Sequence, residues 1–244
     1  MEHEIWFTAI LNKLLGGTVA SLLVKLGFPP ANPAHPIPDY VAMEVLVILV
    51  MLIALAVLRR QLSMENPGKF QQIMEEVLQF IQNTAEEIIG HGAKRYVPML
   101  GTLFMFVLLC NLLGLLPTLK TPTGNIYSTL GCALAVFVYY NFHGVREHGV
   151  VGYLKHLCGP MMWLAILMFP IEVLSNVFRM LSLSVRLYAN MFAGDILEQV
   201  FTSLVPVVVP AVFGALHIFV SVLQAYIFML LPAIYISLAV SEEH

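Results

Sequence analysis

Charge is what this sequence lacks most. Only 11% of its 244 residues are Asp, Glu, Lys or Arg, 59% are hydrophobic, and the mean hydropathy is +0.84. Soluble domains carry about 25% charged residues, so a soluble globular enzyme is excluded and a polytopic, all-α membrane protein is expected. The net charge of -3 says nothing of orientation, because the placement of Lys and Arg decides that. Cysteine is also scarce. Cys110, Cys132 and Cys158 lack CxxC spacing and read as packing residues, not as a disulfide or metal framework. Walker A, GxGxxG, GxSxG and HExxH patterns are all absent, which leaves no visible site for nucleotide, acyl transfer, metal or other cofactor. Nothing suggests nucleic acid. The acidic start, Met-Glu-His-Glu, stands where a signal peptide would be basic.

What is present concentrates between Glu172 and Gln199, EVLSNVFRMLSLSVRLYANMFAGDILEQ. The stretch reads as helix yet holds two arginines and three acids. With 3.6 residues per turn, Glu172, Asn176, Arg179, Arg186 and Asn190 fall close to one line, while Val173, Leu174, Val177, Phe178 and Leu181 cover other faces. An arginine at bilayer depth costs about 2.5–3.5 kcal/mol on insertion scales, and such a cost on a polar stripe marks an ion pathway. Glu172 and Arg179, two turns apart, leave two readings open: a pair that glues helices, or part of that pathway. On the last helix His217, Ser221, Gln224, Phe228 and Tyr235 share a face. His217 either donates to a carbonyl or joins Asp195 in proton exchange. A carboxylate and an imidazole both exchange protons near neutrality; arginine, with a pKa above about 12, does not.

The run Ser184 to Asp195, SVRLYANMFAGD, closely resembles the signature of subunit a of the F-type ATP synthase, R-L-x-x-N-x-x-A-G-(E/D). So does the end, from Ala215-Leu216-His217 through Gln224-Ala225-Tyr226 to Glu242-Glu243-His244, and the similarity reaches back to about Tyr40. The resemblance implies a non-catalytic stator subunit of a rotary membrane sector, with a c-ring and a b-subunit peripheral stalk as partners and ATP chemistry on other chains. It implies that the last two helices form a long tilted hairpin against the rotor. It assigns Arg186 as the fixed positive charge between two offset proton half-channels. Asp195 and His217 become relay groups in the path open to the outside, and Glu172 an acid of proton access whose half-channel stays open. Gln224 would hydrogen-bond or space the guanidinium, and Asn190 would help orient it. Asp195 departs from the Glu often found there by one methylene, so its contact with His217 is expected through water. No span here offers a lone carboxylate that could rotate, so the proton carrier lies on another chain.

In chain order, residues 1–39 form an outside-facing segment. Ile5-Trp6-Phe7, Ile10, Leu14 and Val19 predict an interfacial amphipathic helix, and Pro29, Pro30, Pro33, Pro36 and Pro38 a stiff linker. Residues 40–244 form one membrane domain, with five spans near 40–58, 96–116, 126–142, 160–201 and 207–240. Between them, 69–90 alternates apolar residues with Glu75, Glu76, Glu86 and Glu87 and predicts an interfacial helix. Asn111, deep in the second span, is explained by interhelical hydrogen bonding and left out of the site. His143, His148 and His156 fall in a predicted loop without metal-ligand spacing.

Seven Lys and Arg (Arg59, Arg60, Lys69, Lys94, Arg95, Arg146, Lys155) fall on one side of these spans and three (Lys13, Lys25, Lys120) on the other. That bias puts the N-terminus outside and the C-terminus in the cytoplasm of what is expected to be a bacterial inner membrane. Three other functions compete. A stand-alone proton-coupled transporter would show an internal repeat, and residues 40–140 hold no counterpart of the Arg186 stripe. A haem or protease site would need paired histidines or HExxH. The sodium-translocating version of the same subunit stays open, since selectivity depends on the rotor.

Overall fold

In the computed structural model the described residues are 5–25, 27, 35–63, 67–90, 92–116, 119–158, 165–204 and 208–240. The acidic start, prolines 29, 30 and 33, residues 160–164 and 205–207, the terminal Glu242-Glu243-His244 and the side chains of Lys155, His156 and Cys158 lie outside that description. Every long element among the described residues is an α-helix: α1 Trp6–Lys25, α2 Asp39–Gln61, α3 Lys69–Ile89, α4 Val97–Leu113, α5 Ile126–Cys158, α6 Ala165–Leu204 and α7 Val208–Val240. Short 3-10 turns, Ala93–Arg95 and Pro122–Gly124, precede α4 and α5.

Local chemistry sets several of these boundaries. Pro98 sits in the first turn of α4, where a missing N–H costs nothing. Gly90 ends α3 at φ +76, and its N–H bonds the Glu86 carbonyl. The predicted loop after Phe142 is instead helical, as the end of one helix and a second one that follows it across a kink at Gly149, both within the range of α5. No proline interrupts the segment, and Gly149, with a non-helical φ of +70 and ψ of 164, turns the chain between the two helices.

Four helices are long and apolar enough to cross a membrane: α1, α2, Leu167–Leu197 of α6 and Val212–Val240 of α7. This departs from the expected layout of five spans and an amphipathic N-terminal helix. The apolar residues of α1 are spread around it, not gathered on one stripe, because Ala20, Leu22, Leu23 and Val24 fill the faces between Ile10 and Val19. α4, at 17 residues, is a shorter apolar helix. α5 is not among the four; Tyr139, Tyr140, Asn141 and His143 dilute it. α3 is strongly amphipathic as the alternation predicts, with Ile81 and Ala85 buried and Glu75, Glu76, Glu86 and Glu87 exposed.

The core forms where α4, α5 and α6 pack on α7, with α3 against its far end. Tyr96, Leu100, Leu187, Met191, Phe228 and Ile236 are fully buried there. The exposed surface is apolar instead of charged: Leu52, Leu55, Phe178, Val185 and Phe219 all face outward, the inverse of a soluble protein. Residues at the ends are tied by ion pairs. Lys120 meets Asp39 at 3.2 Å at one end, and Arg95 meets Glu147 at 3.2 Å at the other. A smaller cluster docks α1, with Ile5, Ile37, Ala42 and Met43 at its centre. The Asn12 amide clamps the Ile37 backbone, accepting its N–H at 3.0 Å and donating to its carbonyl at 3.2 Å.

A close helix crossing passes Gly144 of α5. A Cβ there would stand 2.6 Å from Tyr153 Cε2 and 3.2 Å from the Ala239 carbonyl. Gly144→Val is therefore expected to destabilise the chain by about 1–3 kcal/mol through overpacking. Gly17→Ala, with nothing within 4 Å of its Cβ, should be neutral or stabilising by up to about 1 kcal/mol. Thermal unfolding of the detergent-solubilised complex checks both, and equal midpoints for the two variants would refute the close crossing.

Candidate functional site

Two polar clusters occupy the inner faces of α6 and α7. The first forms where the end of α4, the Pro122–Gly124 turn, α6 and α7 meet. Asn111 is fully buried, and its Oδ1 accepts a bond from the Thr123 hydroxyl at 2.7 Å. The Asn111 carbonyl lies 3.2 Å from Nε2 of His217, so the carbonyl contact open to His217 from sequence is made. The other ring nitrogen, Nδ1, lies 3.5 Å from where a Cβ on Gly194 would stand. Asp195, the next residue, sets its carboxylate against the turn, with Oδ2 3.2 Å from the position of a Cβ on Gly124. Asp195 and His217 are thus brought to one place by two facing helices. Glycines at 124 and 194 permit the approach.

Along α7 from His217, Ser221 and Gln224 are both fully buried on the same face. The Gln224 carbonyl oxygen accepts a bond from the Asn190 amide at 2.9 Å, which joins α6 to α7. Four buried polar atoms around this face, Asn111 Nδ2, Thr121 Oγ1, Ser221 Oγ and Gln224 Nε2, find no protein partner among the described residues. Buried groups of this kind are ordinarily satisfied by water.

The second cluster lies toward the start of α6. Arg179 meets Glu172 at 3.6 Å and donates to the Asn176 side chain at 3.4 Å, and its guanidinium lies over the Tyr235 ring at 5.7 Å. Asn176 also accepts from the Tyr140 hydroxyl at 3.2 Å. The helix-glue geometry expected of Glu172 and Arg179 is therefore present. Its strength is small, since both side chains are about a third exposed (29% and 39%).

Arg186 lies between the clusters. By helical rise it is about 21 Å from Glu172 and about 13 Å from Asp195 along α6. It is half-buried and has no hydrogen-bond or ion-pair partner among the described residues. Two residues earlier, Ser184 and Thr129 share a hydroxyl pair at 3.1 Å, both fully buried, which fixes α6 against α5. The outward face around Arg186 exposes Ser182, Ala189, Asn190 and Ala193. Among the described residues no three His, Cys, Asp or Glu side chains converge to hold a metal ion. Of the loop histidines, His143 bonds the Tyr139 carbonyl through Nδ1 at 3.0 Å and packs on Tyr96.

Sequence reasoning set Asn111 aside and missed Thr121 and Thr123. The signal for Asn111 was there: a carboxamide deep in an apolar helix needs a partner. For the threonines it was not, because their place depends on how the turn folds back against α4, where the Thr121 hydroxyl presses on Gly114.

Comparison with known proteins gives a consistent result. Residues 41–237 match the model of the family described as ATP synthase A chain. The chain is 46% identical to ATP synthase subunit a of Koribacter versatilis over 244 residues, all of both chains. It is 45% identical to ATP synthase subunit a of Solibacter usitatus over 235 residues, 96% of this chain and all of the relative. The Geobacter sulfurreducens protein of that name is 36% identical over 244 residues, all of both chains.

The Asn111–Thr123 bond gives a direct check on the site's architecture. Asn111→Leu leaves the Thr123 hydroxyl, 1% exposed, without its partner, and should cost about 1–3 kcal/mol of stability. Adding Thr123→Val should recover part of that loss. Additive losses in the double-mutant cycle, followed by thermal unfolding, would show that the two groups are not coupled.

Proposed function

This chain belongs to the ATP synthase A chain family, and we propose that it is the stator element of the rotary membrane sector, where two offset proton half-channels meet at Arg186. The observation that carries this reading is the arrangement on α6: an unpaired guanidinium between two separate polar clusters, on a face lined with small residues. Small residues at a helix surface let a partner helix approach closely. A rotor carboxylate passing there would be held as the anion beside Arg186 and give up its proton.

Each cluster takes a part in that exchange. Asp195 and His217 relay protons along the path toward the outside, and the unpartnered atoms of Asn111, Thr121, Ser221 and Gln224 hold the water that links them. Glu172 serves proton access from the opposite end. Asn190 and Gln224, bonded to each other, space the two helices beside Arg186 and keep its approach open. The guanidinium cannot pass a proton on, so it also blocks a leak between the half-channels. The partners are a c-ring carrying the mobile carboxylates and a b-subunit stalk, and ATP chemistry occurs on other subunits.

The membrane placement follows the same reading. A helix of 40 residues and one of 33 run about 60 Å and 50 Å, well beyond a hydrocarbon core of about 30 Å, so α6 and α7 lie strongly tilted. Asp39 with Lys120 marks the outer end and Arg95 with Glu147 the cytoplasmic end, each pair joining residues that charge bias assigns to one side.

Two measurements test this. In inverted vesicles carrying the whole complex, Arg186→Ala should abolish ATP-driven acidification while assembly persists, and should raise passive proton leak; coupled pumping that survives the substitution defeats the proposal. Membrane-impermeant maleimide should label Lys120→Cys only from outside and Glu147→Cys only from the cytoplasm. Labelling both from one side would overturn the orientation.

A further inference from the structure

A further carboxylate within an apolar helix, Glu44 on α2, is not used by the proton path. It stands one turn below Tyr40, is half-buried, and accepts a hydrogen bond from the Ser128 hydroxyl of α5. No ion-pair partner for it occurs among the described residues. It faces a cleft of about 580 Å³ between α2, α4 and α5. Tyr40 and Tyr127 stack at the mouth, with ring centroids 6.3 Å apart. Below the carboxylate the walls turn apolar, with Ile48 and Phe106 among them, and no Lys, Arg or His lines the cleft. Eight residues of helix separate Tyr40 from Ile48, so the cleft runs about 12 Å along the helix axis.

The geometry points to a binding site for a long-chain amphiphile with an ammonium head: the cation between Glu44 and the Tyr40–Tyr127 pair, the aliphatic tail along Ile48 and Phe106. An uncompensated carboxylate in apolar surroundings is costly, and Ser128 satisfies only one of its acceptor positions. An ammonium group supplies the missing charge and gains cation–π contact with the two rings. Tyrosines of this kind settle at the level of lipid headgroups, which fits a ligand whose head stays near the interface while its tail enters the hydrocarbon.

The test titrates a fluorescent long-chain trimethylammonium probe into the whole complex in phosphatidylglycerol nanodiscs. The native complex should show a saturable component that Glu44→Gln weakens about tenfold. Ser128→Ala, which keeps the carboxylate and removes its clasp, should bind at least as well as native. An uncharged analogue of the probe should not distinguish the variants. Native-like binding in Glu44→Gln overturns the site. Should that variant fail to assemble, the pair Tyr40→Leu and Tyr127→Leu keeps the carboxylate and its clasp, and undiminished probe binding there overturns it as well. Adding phosphatidylethanolamine separates the sources: displacement of the probe identifies a lipid headgroup as the occupant, and no displacement identifies a free amphiphilic amine.

Discussion

The cost of a guanidinium without a counter-ion in low dielectric governs the arrangement of α6 and α7. Arg179 and Arg186 sit seven residues apart on one helix, yet their surroundings differ. Arg179 has Glu172, the Asn176 oxygen and the Tyr235 ring around it. Arg186 has none of these, and the side-chain carbonyl oxygen of Gln224 accepts from Asn190 instead. A charge left unpaired by its own chain is stabilised only by water or by an anion that arrives from outside. Pairing Arg186 within the chain would stabilise the fold and, on the proposed function, remove the reason for a rotor carboxylate to stop there.

That difference depends on rigid neighbours. The Ser184–Thr129 pair and the buried Leu183, Leu187 and Met191 hold α6 in register beside Arg186, while α7 is held by Phe228, Met229 and Ile236 against α4 and α5. Packing fixes where the guanidinium stands, and the polar groups decide what can reach it. Asn111 shows the two functions meeting in one residue. Its side chain secures the Pro122–Gly124 turn through Thr123, and its carbonyl meets the imidazole of His217. The turn that positions Asp195 is thereby tied to the residue that faces it.

The sequence made some of this legible and hid the rest for physical reasons. The helical line from Glu172 to Asn190 and the shared face from His217 to Phe228 both follow from a period of 3.6, and the structure buries His217, Ser221, Gln224 and Phe228 together as that period requires. The pairing of Glu172 with Arg179 was readable from spacing alone. Which donor reaches the Gln224 carbonyl oxygen was not, because Arg186 and Asn190 lie one turn apart on α6 and the rotation of α6 against α7 decides between them. The character of α1 was misjudged by weighing the recurrence of Ile5, Ile10, Leu14 and Val19 and overlooking the apolar residues between them. The extension of α5 past Phe142 was hidden by histidines and glycines that read as loop, although a single positive φ at Gly149 is enough to bend the chain there.

The separation of the polar clusters has its own logic. On the proposed function, were Asp195 and Glu172 on one turn, a water path could join them and protons would cross without turning anything. About 34 Å of helix lies between them, with apolar side chains such as Leu183 and Leu187 buried in the interval and two permanent cations, Arg179 paired with Glu172 and Arg186 half-buried beyond it. Neither apolar packing nor arginine carries protons, so on the proposed function the route between the clusters passes through the partner. On that proposal the subunit conducts through a moving partner, and coupling follows from the lack of a polar shortcut among the described residues.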